Sequence, residues 1–286
     1  MTISSYQRAR FLLTLGSVTA QAAESASASD AAPAAKLGST IYKWDGAALK
    51  PTGVGARRDI NDGPTATLLR FECHISMLRP GVPSHPPHQH AQEELIIIKE
   101  GTLDVHINGK EQRLGAGGLF FFASNDWHAV RNVGEVPATY LVFNFQTAAT
   151  RTAPKAPAAE SASPDKLRSA VYAWEDLKVQ PTPKGARREF FKSPTVSCQN
   201  FSVHATTLNA GETPHAPHRH PDEEIIIIKD GSVEATINGK SEVVGPGSIL
   251  FFAANDEHGL RNVGDSPATY YVMRVITELT ETTAAK

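Results

Sequence analysis

The sequence predicts an all-β protein built from two copies of one domain, and three observations carry that expectation. A shift of 130 residues lays segment 39–147 on 169–277 without a gap. Roughly 48 of the 109 aligned positions are then identical, which marks a repeated architecture. Each copy breaks into short β-branched and aromatic runs between Gly, Pro and Asn turns, the pattern of a sandwich or barrel. Few segments sustain a helical period.

The elements follow in order. Residues 1–22 read as an export signal: Arg8 and Arg10 precede an apolar stretch, Phe11 to Ala20, and Ala20-Gln21-Ala22 fits a small-residue cleavage site. The location expected is periplasmic or secreted. Residues 23–38 form an Ala/Ser-rich segment expected to be disordered. The first barrel spans 39–147, an Ala/Pro-rich linker 148–168, the second barrel 169–277 and a tail 278–286. Within the repeats, Glu94–Lys99 and Glu224–Lys229 are β-branched runs bounded by Gly101 and Gly231, as buried strands should be. Asn108-Gly109 and Asn238-Gly239 signal type I′ hairpins. Leu119–Ala123, Ile249–Ala253, Pro137–Phe145 and Pro267–Val275 supply further strands.

Composition narrows the function classes. With 28 basic and 30 acidic residues the formal charge is -2, so there is no electrostatic footprint for nucleic acid. No run approaches the roughly 20 apolar residues of a membrane-spanning helix. Cys73 and Cys198 are too few for a disulfide scaffold or an all-cysteine zinc site, and their surroundings in the repeats do not correspond.

The histidines carry the chemistry. Of 11, ten fall into pairs at the 130-residue shift; His106 alone faces a different residue, Thr236. The densest cluster is His88-x-His90-x3-Glu94, matched by His218-x-His220-x3-Glu224. Residues two apart on a strand share a face, so these three side chains can enter one interior. His128 and His258 follow downstream. Three imidazoles and a carboxylate suit a divalent transition metal, either tetrahedral Zn or six-coordinate Mn, Fe, Co or Ni, up to two ions per chain.

These motifs resemble those of the cupin superfamily. HxHx3E followed by Gly101 or Gly231 is similar to its first motif. Gly117 or Gly247 with His128-x3-Asn132 or His258-x3-Asn262 is similar to its second. The resemblance covers both repeats and implies two tandem antiparallel jelly-roll β-barrels, a bicupin from an internal duplication. It also implies the metal ligands: His88, His90, Glu94 and His128, with His218, His220, Glu224 and His258. Departures fall in turns: six residues separate Gly81 from His88 and Gly211 from His218 where five is usual. Ala123 and Ala253 replace a frequent Pro, and Asn125 and Asn255 a common Gly.

Other pairs are weaker candidates. His74 and His204 share a strand face with Leu78 and Leu208, so they reach the interior if those leucines do, as proton shuttles or as hydrogen-bonded wall residues. His85 and His215 belong to a Pro-rich loop. Arg57, Arg58, Arg187 and Arg188 could hold a carboxylate substrate, but solvated or interdomain arginines are the simpler reading. Glu93 and Glu223 have outward parity, and His106 reads as surface. The phenylalanines Phe121, Phe122, Phe251 and Phe252 read as core. The repeats differ beside the ligands, with Trp127 against Glu257, Asn144 against Arg274 and Phe143 against Met273.

Bicupins include dioxygenases, oxalate-type decarboxylases, isomerases and aminohydrolases, and fold alone does not choose among them. The expectation is a metal-dependent oxidoreductase of dioxygenase type, or a lyase, acting on a small organic acid, phenol or sugar-derived compound. The alternative is a non-catalytic secreted bicupin that binds a metal or small ligand. Small molecules are the expected partners, and the resemblance to cupins leaves room for a homo-oligomer.

Overall fold

The computed structural model describes residues 34–151 and 165–280; the leader expected over 1–22 lies outside the described residues. The first repeat runs β1 (Thr40–Tyr42), β2 (Lys50–Thr52), β3 (Gly55–Gly63), β4 (Arg70–Leu78), β5 (Glu93–Glu100), β6 (Leu103–Ile107), β7 (Lys110–Leu114), β8 (Leu119–Phe122), β9 (His128–Asn132) and β10 (Ala138–Gln146), then the single turn α1 (Ala148–Arg151). The second repeats it: β11 (Ala170–Tyr172), β12 (Gln180–Thr182), β13 (Gly185–Ser193), β14 (Asn200–Leu208), β15 (Glu223–Asp230), β16 (Val233–Ile237), β17 (Lys240–Val244), β18 (Ile249–Phe252), β19 (His258–Asn262) and β20 (Ala268–Ile276). The expected hairpins join β6 to β7 and β16 to β17. Asn108 (φ 46°) and Gly109 (φ 83°) take the left-handed conformations a type I′ turn needs, as do Asn238 (φ 48°) and Gly239 (φ 78°).

Each barrel pairs a seven-stranded antiparallel sheet with a three-stranded one, and the first strand of each large sheet comes from the other repeat. The orders are β11-β8-β5-β10-β4-β3-β2 with β7-β6-β9, and β1-β18-β15-β20-β14-β13-β12 with β17-β16-β19. Thus Ile41 of β1 pairs with Leu250 of β18, and Val171 of β11 pairs with Phe120 of β8. The exchanged segments also bring an indole each. Trp44 lies against Gly247 and Trp174 against Gly117, where φ is +86° and +89° and a Cβ would meet the ring. Lys229 sits 4.9 Å from the Trp174 ring centroid and Lys99 4.6 Å from that of Trp44, within cation–π range.

Strand alternation sorts side chains into three cores. Ile96, Ile98, Phe120, Phe122 and Val142 fill the first barrel, and Ile226, Ile228, Leu250, Phe252 and Val272 the second. The intervening residues, Leu95, Ile97, Phe121, Phe143, Ile225, Ile227 and Phe251 among them, form one cluster shared by the two large sheets. That explains the unbroken apolar runs of β5 and β15: both faces are buried, one inside a barrel and one between barrels.

Glu93 and Glu223 correct the outward reading. Their parity does point away from the barrel interior, but into the shared core, where they are 1% and 0% exposed. Glu93 accepts hydrogen bonds from Thr195 Oγ1 (2.6 Å), Val196 N (2.9 Å) and Ser197 N (2.9 Å). Glu223 accepts from the equivalent loop, from Thr65 Oγ1 (2.7 Å), Ala66 N (2.9 Å) and Thr67 Oγ1 (2.7 Å), with Thr67 N at 3.3 Å. Each barrel thereby organises a loop of the other. Burial pushes both carboxyls up, against the hydrogen bonds that pull them down.

The ordered chain also reaches into segments expected to be loose. Leu37, in the segment expected to be disordered, packs on the shared core and donates to Pro64 O at 2.7 Å. Leu167, in the expected linker, makes the equivalent bond to Pro194 O at 2.8 Å. Cys73 and Cys198 are buried free thiols. No described helix is long and apolar enough to cross a membrane.

Candidate metal centres

The HxHx3E motif straddles a loop and a strand. His88 and His90 end the Pro-rich loop, and Glu94, the second residue of β5, has the parity of Ile96 and Ile98, toward the barrel interior. His128 opens β9 and is tied to His88 by reciprocal backbone hydrogen bonds of 2.9 and 3.1 Å; His258 and His218 repeat this at 3.0 Å each. The geometry therefore brings together His88, His90 and His128, and separately His218, His220 and His258, with one ring nitrogen from each within 4.8 Å of the others. The fourth predicted donors stand beside them: Glu94 Oε2 is 3.4 Å from His90 Nε2, and Glu224 Oε2 is 3.6 Å from His220 Nε2.

The imidazoles are aimed. His90, His128, His220 and His258 donate Nδ1–H to the carbonyls of Gln92, Asp126, Asp222 and Asp256 at 2.8 to 2.9 Å. A carbonyl only accepts, so Nδ1 carries a proton and Nε2 is the nitrogen turned to the centre. Phe122 and Phe252 stack on His128 and His258 at 4.4 Å between centroids, fixing those rings from behind. Nε2 of His128, His220 and His258 is buried without any hydrogen-bond partner. Buried orphans are costly unless something supplies their missing contact. Converging lone pairs beside a carboxylate are the donor set of a divalent transition ion. Burial depresses His88 to about 4, helped by the charge of His85, and it also lowers His128, His218 and His258, so these rings are neutral as ligands must be. Burial pushes Glu94 and Glu224 up, but the adjacent His90 and His220 and the other imidazoles outweigh it and hold both carboxyls low. The same pairing raises His90, and raises His220 to about 9, so an ion binding there must displace a proton.

The surroundings of the two centres differ. A cavity of about 570 Å³ opens above the first, lined by Arg57, Glu72, His74, Tyr140 and Asn144 together with the four candidate donors. Leu78 belongs to the interior core of the first barrel, so His74 does face inward as its parity requires. Its Nδ1 lies 2.8 Å from Glu72 Oε1. Arg57 Nη2 reaches the same oxygen at 2.9 Å, and Asn144 Nδ2 donates to Oε2 at 2.7 Å. Glu72 carries no signal in the repeat, because its counterpart at the 130-residue shift is Ser202. In the second barrel Arg274 replaces Asn144 and forks onto the buried Asp222 at 2.7 and 2.9 Å. His204 has no hydrogen bond among the described residues, and burial, with the charge of Arg187, depresses it to about 4.

The remaining candidates find structural places. His85 and His215 pack edge-on against His88 and His218, at 4.1 and 4.2 Å. Arg57 is committed to Glu72 and Asp59, Arg187 to Glu189, and Arg58 and Arg188 to the Trp44 and Trp174 rings. His106 is half-buried rather than superficial, with Nδ1 enclosed. Trp127 is 45% exposed, and Phe121, Phe122, Phe251 and Phe252 are core.

The cupin-domain family model matches this chain twice, over residues 74–144 and 205–274. The chain is a bicupin. Solved structures resembling this bicupin include YlbA from E. coli, with 11% identity over 83% of this chain and 90% of that one at a TM-score of 0.65. Another is the Bacillus subtilis oxalate decarboxylase described for its Mn(II) centres, with 15% identity, 86% and 79% coverage and a TM-score of 0.60. Likeness at that identity shows the fold alone. Among curated relatives, L-ectoine synthase of Bordetella parapertussis is 38% identical over 61 residues, 21% of the bicupin, and the match spans 47% of the relative's own length.

Proposed function

We propose that the bicupin is a metal-dependent enzyme acting on a small organic molecule, with the reaction site in the first barrel. The observation that carries this reading is the convergence of three aimed imidazoles and an ionised carboxylate at the floor of an open cavity. A divalent ion held there would act as a Lewis acid toward a substrate oxygen and offset developing negative charge. The chain's residues supply the rest: Val142 and Phe122 give the cavity wall apolar surface, and Glu72, His74 and Asn144 present polar groups to the same space. The reaction class proposed is dioxygenase-type oxidation or decarboxylation-type lysis. The Mn(II) centres of the decarboxylase neighbour make manganese the first ion to try. The second centre favours a binding role, because the Arg274–Asp222 pair takes the place of the polar groups offered in the first. We propose further that residues 1–22 direct export, which cell fractionation with N-terminal sequencing of the mature chain would test.

The experiment is elemental analysis of protein purified without chelator or affinity-tag metal, on wild type, His88→Ala and His218→Ala. The expected result is two equivalents per chain, each variant losing one. No stoichiometric metal, even after reconstitution, would overturn the metalloenzyme reading.

A further inference from the structure

The two barrels share their metal donors and the histidine one strand away, yet only the first gives that histidine a carboxylate. Glu72 is buried to 9% exposure and takes three donors at once: Arg57 Nη2 and His74 Nδ1 on one oxygen, Asn144 Nδ2 on the other. Those partners overcome the burial that would push its carboxyl up, and the group stays below the ordinary carboxylate range. An ionised carboxylate only accepts, so Nδ1 of His74 carries the proton and Nε2 is the free lone pair. Among the described residues the ring makes no other hydrogen bond, and it lines the cavity above the first centre. In the second barrel Ser202 stands where Glu72 does, Arg274 where Asn144 does, and Arg187 is spent on Glu189. His204 is left unsupported.

We propose that His74 is the proton acceptor of the first barrel, with Glu72 as its positioning residue, and that the second barrel has no equivalent. This deepens the reading of the first barrel as the reaction site and rests on it. The substrate class is a small molecule with an ionisable O–H, N–H or activated C–H. Its X–H bond breaks, the proton passes to His74 Nε2, and the electron pair stays on the substrate atom. The imidazolium that forms shares its charge with Glu72, and the proton returns to product or water. Nothing is oxidised or reduced in the step. Arg57 and Asn144 hold the carboxylate so that it cannot rotate away from Nδ1.

The test uses the full chain loaded with zinc, which is diamagnetic and masks the ligand imidazoles. Diethyl pyrocarbonate, which acylates a neutral imidazole nitrogen, is added at neutral pH, and each histidine's rate is read by peptide mass spectrometry. His74 is expected to react about tenfold faster than His204, its counterpart in the same molecule. Glu72→Gln, which keeps an acceptor but removes the charge, should slow His74 about threefold, and Glu72→Ala more, with the His204 rate unchanged. Ser202→Glu should raise the His204 rate. Nitrogen-15 spectra of labelled histidine should show His74 as the Nδ1–H tautomer in wild type and a mixture in Glu72→Ala. Equal rates for His74 and His204, or an Nε2–H tautomer at His74, would overturn the proposal. A variant that unfolds is recognised because its His204 rate changes too. Zinc content measured on the same sample separates the two readings: absent zinc fails the metal site, whereas an unreactive His74 in loaded protein fails this one.

Discussion

The two barrels agree in every predicted metal donor and part company one layer further out. His88, His90, Glu94 and His128 have identical counterparts in His218, His220, Glu224 and His258. Glu72, Gln92 and Asn144 face Ser202, Asp222 and Arg274. A donor set tolerates no change, because each ligand must present one lone pair at one point. The surrounding groups meet whatever enters the cavity, and they are free to diverge once the chain has two copies. The first barrel offers a carboxylate-backed imidazole and a neutral amide. The second offers a guanidinium locked to a buried aspartate.

The largest effect should come from the feature the barrels share. Replacing Glu93 with Ala strands the donors of Thr195, Val196 and Ser197, and Glu223→Ala does the same to Thr65, Ala66 and Thr67. Each should cost about 3 kcal/mol or more, since several buried donors are orphaned together. Urea unfolding of the two variants should give equal losses; a large inequality would show that the clasp is not symmetric in energy.

Next is a pH window owed to the second barrel. His204 is depressed to about 4, below the usual 6.5, so the native state refuses a proton that the unfolded chain accepts. Its contribution is intact above about pH 6.5 and is lost progressively as pH falls toward 4, by about 3 kcal/mol in full at roughly 1.4 kcal/mol per pKa unit. In thermal melts of chelator-treated protein, wild type should lose stability relative to His204→Phe as pH falls across that window; parallel melts would refute the assignment.

A smaller effect is expected where the outer layers differ. A double-mutant cycle on Arg274→Asn and Asp222→Gln, which imports the first barrel's residues, should report a coupling of about 1–3 kcal/mol. An additive cycle would mean that the fork is incidental. Smallest of all, Lys99→Met and Lys229→Met should each cost about 0.5 kcal/mol through the Trp44 and Trp174 rings, and a difference between them would be the first sign of asymmetry at the exchanged strands.

Much of this was legible in residues. The Asn-Gly hairpins follow from turn chemistry, and the leucine that turns His74 inward from a period of two. His88 and His90 join Glu94 by another route than the strand parity expected of them, since both lie in the loop before β5 and are held by the backbone bonds of His88 to His128. The exchange of first strands was not legible. β1 and β11 are three residues each, and the strands they could join, β8 and β18, carry nearly the same sequence, so nothing local distinguishes a barrel's own edge from its partner's. The parity of Glu93 is legible but its burial is not, because what lies behind a sheet is a tertiary fact. Glu72 escaped because the repeat comparison rewards identity, and its importance lies in a difference.

The exchanged strands also constrain how the chain can be born. Thr40 pairs with Phe251. Between them lie both halves of the protein, so the second barrel cannot complete its sheet from its own residues, and the first must wait for β11 before its edge is covered. An open sheet edge invites pairing with strangers. On a ribosome releasing residues in order, the N-terminal half emerges first yet stays unfinished until Val171 arrives, and β1 until Leu250 does. Contacts so distant in sequence make for slow folding. The two halves thus mature together or not at all, and a half-length fragment should aggregate rather than fold.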